Sequence, residues 1–195
     1  MSFQSFENSS MASQVAAVPW ERLPELFDLS ISWQVLDGQD RGVSKATEKS
    51  VERVNWLYGL KLPISYQEFV GRSREANKWL TGVGEDYEAE RHLVRMNRLW
   101  RNLPRKSRIP SHLVMFNLGF DEDCDCFDLN LYDAQTGEYA IRYWYPGFGE
   151  DVLYPSFEAY IRAQTAAWCE LKVQGREIEL VFLIKKLLAE YAPVS

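Results

Sequence analysis

The hydrophobic periodicity of this chain changes after Ile109-Pro110, and this change limits the folds that it can adopt. Upstream, apolar residues recur at helical spacing, whereas HLVMFNL, CFDLNLYD and EYAIRYWY alternate with the period of two that is typical of β-strands. The DAQTG segment between the last two contains turn residues, among them Gly137, which can adopt a positive φ. Because the connections are too short for the crossovers of parallel strands, the pattern predicts an antiparallel meander.

Three helical patterns precede these strands. The first has a capping residue at Ser44, and the second begins where Ser65 and Glu68 have the spacing of a capping box. The third runs from about residue 85 to 103, and Pro104 ends it.

Two more helices are predicted after the strands. Pro155 and Ser156 precede the first of them, Gly175 breaks it, and an apolar helix follows over 177–191. The order of helices, strands and helices predicts an α+β fold, in which an antiparallel β-sheet is flanked by N-terminal and C-terminal helices.

The length of 195 residues and a hydrophobic content of 46% favour one domain with its own core. Residues 1–16 lack periodicity and are expected to form a mobile N-terminal tail, and the apolar segment 17–43 is expected to pack on the domain, which spans 44–192. No segment has the ~20 uninterrupted apolar residues of a membrane helix, and the first residues do not resemble a secretory signal. We therefore expect a cytoplasmic protein with reduced cysteines.

Charge is distributed unevenly along the chain. The net charge is −6, which argues against nucleic acid as a partner because phosphate contacts need clustered basic residues. Seven basic residues and no acid lie in 91–108, whereas nine acids and one base lie in 121–151. The basic segment is interpreted as a solvated helix face or a secondary contact surface.

Motifs of common catalytic classes are absent from the sequence. It contains neither a nucleophile elbow, nor a zinc-protease helix, nor a phosphate-binding loop. Neither of its two histidines, His92 and His112, has a nearby Ser or Cys in a known nucleophile setting. We therefore expect no cofactor and no bound metal.

The acidic segment DEDCDCFDL, residues 121–129, admits three interpretations. As a calcium loop it fails, because Cys126 occupies the position of the required glycine and Tyr132 that of the bidentate glutamate. A pair of catalytic carboxylates stays open, although neighbouring acids repel one another and so favour open solvent over a dry pocket. The third interpretation is an exposed acidic surface that contacts a partner.

Strand parity supports that third interpretation. The acids at 121, 123 and 125 have the parity of the apolar residues that follow, and three acids are costly to bury. We therefore expect the strand to begin near Cys126, with 119–125 as an exposed acidic loop. The predicted core residues are Leu62, Phe69, Phe127, Leu129, Leu131 and Phe157.

The segments GLKLPISYQEFV, IPSHLVMFNLG, DEDCDCFDLNLYDAQTGEYAIRYWYPG and SFEAYI, in this order, resemble the SUKH superfamily of fungal cell-wall-assembly regulators and bacterial immunity proteins. The resemblance covers roughly residues 45–163. It places Asp123 at the family's Gly-Asp step, although Glu122 replaces the glycine, and it makes residues 72–108 a helical insertion. The residues that match the family's first motif are Leu60, Leu62, Pro63, Tyr66 and Phe69.

The resemblance implies a non-enzymatic protein-binding module, namely an immunity protein that binds and neutralises a cognate toxin. The part of the toxin that it binds is expected to be a basic domain. The alternative is a regulatory scaffold in signalling or cell-wall assembly, and a hydrolytic enzyme is the least favoured reading. Acidic side chains and an aromatic strand suit electrostatic steering and anchoring. The residues predicted to contact the partner are Asp121, Glu122, Asp123, Asp125, Tyr143, Trp144 and Tyr145.

Overall fold

The structure is a computed structural model that describes residues 10–31, 52, 55, 61–76, 92–104, 107–118, 123–146, 149–175 and 178–191. Its helices are α1 (Ser10–Ala17), a 3-10 helix (Trp20–Arg22), α2 (Leu23–Ile31), α3 (Ile64–Arg72), α4 (His92–Arg101), α5 (Phe157–Gly175) and α6 (Ile178–Glu190). Its strands are β1 (Leu113–Leu118), β2 (Cys124–Asp133), β3 (Glu138–Tyr145) and β4 (Gly149–Tyr154). The predicted α+β class is confirmed.

The four strands pair in the order β1-β2-β3-β4, and every pairing is antiparallel. Gly137 turns the β2–β3 connection with φ +73°, as expected of the turn residues there. The fourth strand, GEDVLY, was not predicted. It begins with glycine and two acids, which are depleted in strands, so that pairing with β3 and not local preference makes it a strand.

The larger core lies between one face of the sheet and helices α1, α2, α3, α5 and α6. Its centre is aromatic: the Tyr66 ring lies 5.8 Å from Phe116, 5.2 Å from Phe127 and 5.1 Å from Phe157, in edge-to-face contacts. Such edge-to-face contacts stabilise a core beyond the area that they bury. Helix α5 is therefore held against the sheet through aromatic residues of β1, β2 and α3.

A smaller core lies on the opposite face, under α4. Trp100 of α4 meets Trp144 of β3 edge-to-face at 5.7 Å, and both rings are buried. The buried Asn97 amide also pairs with β1, because it donates to the Met115 carbonyl at 2.7 Å and accepts from the Met115 N–H at 3.0 Å. Helix α4 thus satisfies part of the outer edge of β1, where another strand could otherwise add.

The predicted mobile tail is wrong for residues 10–16. These residues belong to α1, which packs against α5, and Val15 is fully buried. Arg162 of α5 fixes the segment by donating to the carbonyl oxygens of Val15 and Val18. The sequence before Ser10 lies outside the described residues, as does most of the predicted helix that begins at Ser44.

The predicted capping box at α3 is also wrong, although the helix exists. Pro63 is the N-cap residue and makes no side-chain capping bond. Ser65 instead donates its hydroxyl to Glu138 of β3, and the second oxygen of that carboxylate accepts the Phe157 N–H at 3.2 Å. Glu138 therefore joins α3, β3 and the start of α5.

Four of the six predicted core residues, Leu62, Phe69, Phe127 and Phe157, are fully buried, and Leu129 packs at the margin of the core. Leu131 is 43% exposed, so its predicted burial is wrong. The β2–β3 register is irregular between Phe127 and Tyr132, and residues 130–136 at the end of the hairpin are exposed. In the described part of the chain, no helix has the length and apolar character needed to cross a membrane.

Candidate functional site

The acidic segment lies partly within the sheet. Asp121 and Glu122 fall outside the described residues, and β2 begins at Cys124, two residues before the predicted start. The expected exposed loop over 119–125 is therefore wrong at its C-terminal end, because Asp125 is a half-buried strand residue.

Asp125 lies in a polar row across the face that α5 covers. The register places it beside Asn117 of β1 on one side and Tyr143 of β3 on the other. Its Oδ2 accepts hydrogen bonds from the Tyr160 hydroxyl at 2.7 Å and from the Asn117 amide at 2.8 Å. Burial of this acid is thus offset by two donors that β1 and α5 provide.

Asp123 lies next to this row and binds Tyr143, the tyrosine that pairs with Asp125 in the register. Its Oδ2 accepts the Tyr143 hydroxyl at 2.7 Å, whereas its Oδ1 is buried and has no hydrogen-bond partner among the described residues. We call Asn117, Asp123, Asp125, Tyr143 and Tyr160 the acid–tyrosine cluster. It places two carboxylates and two phenol groups at one end of the sheet.

Burial controls the ionisation of the cluster. It raises the pKa of Asp125 to about 6; the hydrogen bonds from Tyr160 and Asn117 oppose this rise, and the neighbouring charge of Asp123 adds to it. Burial and the hydrogen bond to Asp123 raise the pKa of Tyr143, and burial and Asp125 raise that of Tyr160. Both tyrosines therefore stay protonated donors at neutral pH.

The raised pKa of Asp125 predicts a pH dependence of stability. An unfolded aspartate has a pKa of about 3.9, so the folded state binds more protons between about pH 4 and pH 6, and stability falls as pH rises through this window. Replacing Asp125 with Asn keeps an acceptor for Tyr160 and removes the charge. We expect the variant to raise Tm at about pH 7.5 and to have little effect at about pH 4.

Asp133 provides a control of opposite sign. Hydrogen bonds from the Gln135 N–H and the Thr136 hydroxyl lower its pKa, so that it stabilises the fold above its unfolded pKa. Asp133→Asn should lower Tm at about pH 7.5 and lose this effect in acid. Thermal melts of both variants across pH would contradict the account if Asp125→Asn destabilised the protein at neutral pH as Asp133→Asn does.

The aromatic strand YWY divides between the two faces of β3. Tyr143 and Tyr145 are half-buried, whereas Trp144 is only 4% exposed and packs in the smaller core. Its partner in the register is Cys124, which is buried in the same core. Trp144 is therefore a structural residue, and it does not offer a partner the exposed ring that the sequence led us to consider.

Two members of the cluster, Asn117 and Tyr160, were not among the predicted site residues. Strict alternation places Asn117 on the face of Met115, but the β1–β2 register shifts between these residues and Asn117 pairs with Asp125. Tyr160 belongs to the apolar side of the α5 pattern, where a tyrosine indicates packing. A buried tyrosine hydroxyl needs a hydrogen-bond partner, and this requirement could have indicated that Tyr160 bonds to an acid.

Tyr143 is the phenol of the cluster that a partner could contact, because it is half-buried, whereas Tyr160 is only 1% exposed. Among the described residues, no group of three or more His, Cys, Asp or Glu side chains is arranged to hold a metal ion. The carboxylates of Asp123 and Asp125 accept hydrogen bonds from the Tyr143 and Tyr160 hydroxyls, and these bonds fix the positions of the two tyrosines.

Comparisons of this chain with protein-family models, with curated proteins and with solved structures found no match.

Proposed function

We propose that this chain is a non-enzymatic protein-binding module, and specifically an immunity protein that neutralises a cognate toxin. The observation that carries the proposal is the half-buried Tyr143, whose hydroxyl is held by Asp123. A tyrosine combines a large apolar surface with a polar tip, and a ring fixed before binding loses little conformational entropy on contact. It is suited to act as an anchor at an interface.

The acids that precede β2 in sequence support a basic partner. Asp121, Glu122 and Asp123 follow one another in sequence directly before β2, and the chain as a whole has a net charge of −6. Clustered acids accelerate the association of a basic protein, and a basic toxin domain fits this requirement. The resemblance to the SUKH superfamily leads to the same class of partner.

Hydrolysis is the competing function for which one observation speaks. Asp123 and Asp125 are neighbouring carboxylates, and the pKa of Asp125 is raised to about 6, as in a general acid. However, Oδ2 of Asp125 already accepts hydrogen bonds from Tyr160 and Asn117, which is the arrangement of a structural carboxylate. We therefore propose that Asp123 and Asp125 hold Tyr143 and Tyr160 in position and do not catalyse a reaction.

Co-expression with the protein that is encoded beside this chain tests the proposal. Expressed alone in a bacterial host, that protein should arrest growth; with this chain, growth should recover and the two should co-elute as a stable complex. Tyr143→Ala should lose the rescue. Tyr132→Ala is the matched control, because Tyr132 is 45% exposed at the other end of the hairpin, and it should retain rescue.

Two outcomes would contradict parts of this proposal. A stable complex without any effect on growth would favour the regulatory scaffold over the immunity protein. Equal rescue by Tyr143→Ala and Tyr132→Ala, with both variants folded, would place the contact surface elsewhere.

A further inference from the structure

The smaller core and its margin contain all four sulfur-bearing residues of the described sheet and α4. Its buried residues include two cysteines and a methionine, and a second methionine packs against them from α4. None of the cysteines is in a disulfide. The residues of this core are Trp100, Ile109, Leu113, Met115, Cys124, Cys126 and Trp144, with Met96 and Leu103 at its margin.

The strand register brings three of these sulfur-bearing residues together. Cys124 and Cys126 point to the same face of β2, with Cα atoms about 6.7 Å apart at the usual strand rise. Met115 lies directly opposite Cys126. Because the Met115 N–H and carbonyl both bond to Asn97 on the outer edge, Met115 and Cys126 form the closer, non-hydrogen-bonded type of pair.

We propose that Cys124 and Cys126, assisted by the thioethers of Met115 and Met96, bind one Cu(I) ion. Thiolate and thioether sulfurs are soft ligands, and together they select Cu(I) over the harder divalent ions. A metal between two thiolates needs sulfur atoms about 4.6 Å apart if each bond is about 2.3 Å long. The Cys126 Sγ donates to the Cys124 carbonyl oxygen at 3.8 Å, so binding would need the cysteine side chains to rotate and this weak hydrogen bond to break.

The composition of the core argues for Cu(I) and against Zn²⁺. A structural zinc site takes four Cys, His or carboxylate ligands, whereas this core offers two thiols and two thioethers. Asp128, which lies on the same face of β2, is engaged by Arg142 and by the Asn130 N–H. Met115, Cys124 and Cys126 are themselves at most 3% exposed, so their sulfur atoms are shielded from water.

Charge and protons balance in this binding step. The S–H bonds of Cys124 and Cys126 break, two protons pass to solvent, and two copper–sulfur bonds form, which leaves one net negative charge. The Arg101 guanidinium lies at the margin of the core, where its Nη2 donates to the Leu113 carbonyl at 3.0 Å. Its positive charge opposes the charge of the two thiolates.

Competition with a copper chelator tests the proposal. The full chain is mixed under nitrogen with Cu(I) held as its bathocuproine disulfonate complex, and loss of the coloured complex reports transfer. The wild type should withdraw one equivalent of Cu(I), and Cys124→Ser or Cys126→Ser should abolish the withdrawal. Cys169→Ser is the matched control, because Cys169 is buried in the larger core, and it should bind as the wild type does.

Further variants and conditions keep the result interpretable. Met115→Leu preserves core volume, so it should fold and bind Cu(I) more weakly, even if a serine variant unfolds. Refolding the wild type in the presence of the copper complex should give the same stoichiometry, which removes slow access to a buried site as an explanation. A wild type that leaves the chelator saturated in both protocols, or equal withdrawal by all three cysteine variants, would overturn the proposal.

Discussion

Replacing Phe127 with alanine should lower the free energy of unfolding by about 3–5 kcal/mol. The ring is fully buried and lies 4.6 Å from Phe116 and 5.2 Å from Tyr66, so that truncation leaves a cavity between β1, β2 and α3. Urea denaturation followed by circular dichroism measures the loss as a lower midpoint at an unchanged slope.

Leu131→Ala is the matched control on the same strand. Leu131 is 43% exposed, and its truncation should cost under about 1 kcal/mol, in the range of surface substitutions. Equal losses for the two variants would mean that the irregular register after Phe127 does not carry Leu131 out of the core.

Replacing Arg142 with methionine should cost about 3–5 kcal/mol, because it leaves the charge of Asp128 buried without its partner. The Asp128 side chain is 0% exposed and that of Arg142 is 20% exposed, and the two form an ion pair through Arg142 Nε. The same denaturation experiment measures this loss as a lower midpoint.

The double variant Asp128→Asn/Arg142→Met separates the buried charge from the packing of the arginine. It should recover part of the stability that Arg142→Met loses, because no charge is left unpaired. A double variant that loses the sum of the two single effects would show that the residues act independently and that the ion pair carries no coupling.

The strands with clear alternation were predictable from sequence, and the point where the acidic strand begins was not. Alternation identified β1, β2 and β3, but parity also assigned Asp125 to a face where three acids seemed too costly to bury. Two donors from distant elements, Asn117 and Tyr160, offset that cost, and no local pattern reveals them. The register shift that pairs Asn117 with Asp125 arises between two strands, so the sequence of β1 alone does not reveal it.

The candidate site was predictable in its residue types and only partly in its geometry. Asp123 and Tyr143 were both predicted to contact a partner, and the structure joins them in a hydrogen bond. Trp144, between two half-buried tyrosines in sequence, was also predicted to contact the partner, but its side chain is buried. Its burial follows from α4, whose Trp100 covers this face of the sheet.

The association rate with the protein encoded beside this chain most directly tests the proposal that the acids at 121–123 and Tyr143 contact a basic partner. Surface plasmon resonance would compare the wild type with the triple variant Asp121→Asn/Glu122→Gln/Asp123→Asn, which leaves the structural Asp125 in place. The control with the same change of net charge replaces three exposed acids of the helices with glutamine, at Glu21, Glu25 and Glu190. Thermal melts would verify that both variants fold.

At low salt the acidic triple variant should associate about tenfold more slowly than the wild type, and the difference should shrink as salt screens the charges. Its dissociation rate should change less, and the helix control should associate nearly as the wild type does. A folded acidic variant that associates at the wild-type rate, or a helix control that slows equally, would contradict the assignment of this end of the sheet as the contact surface.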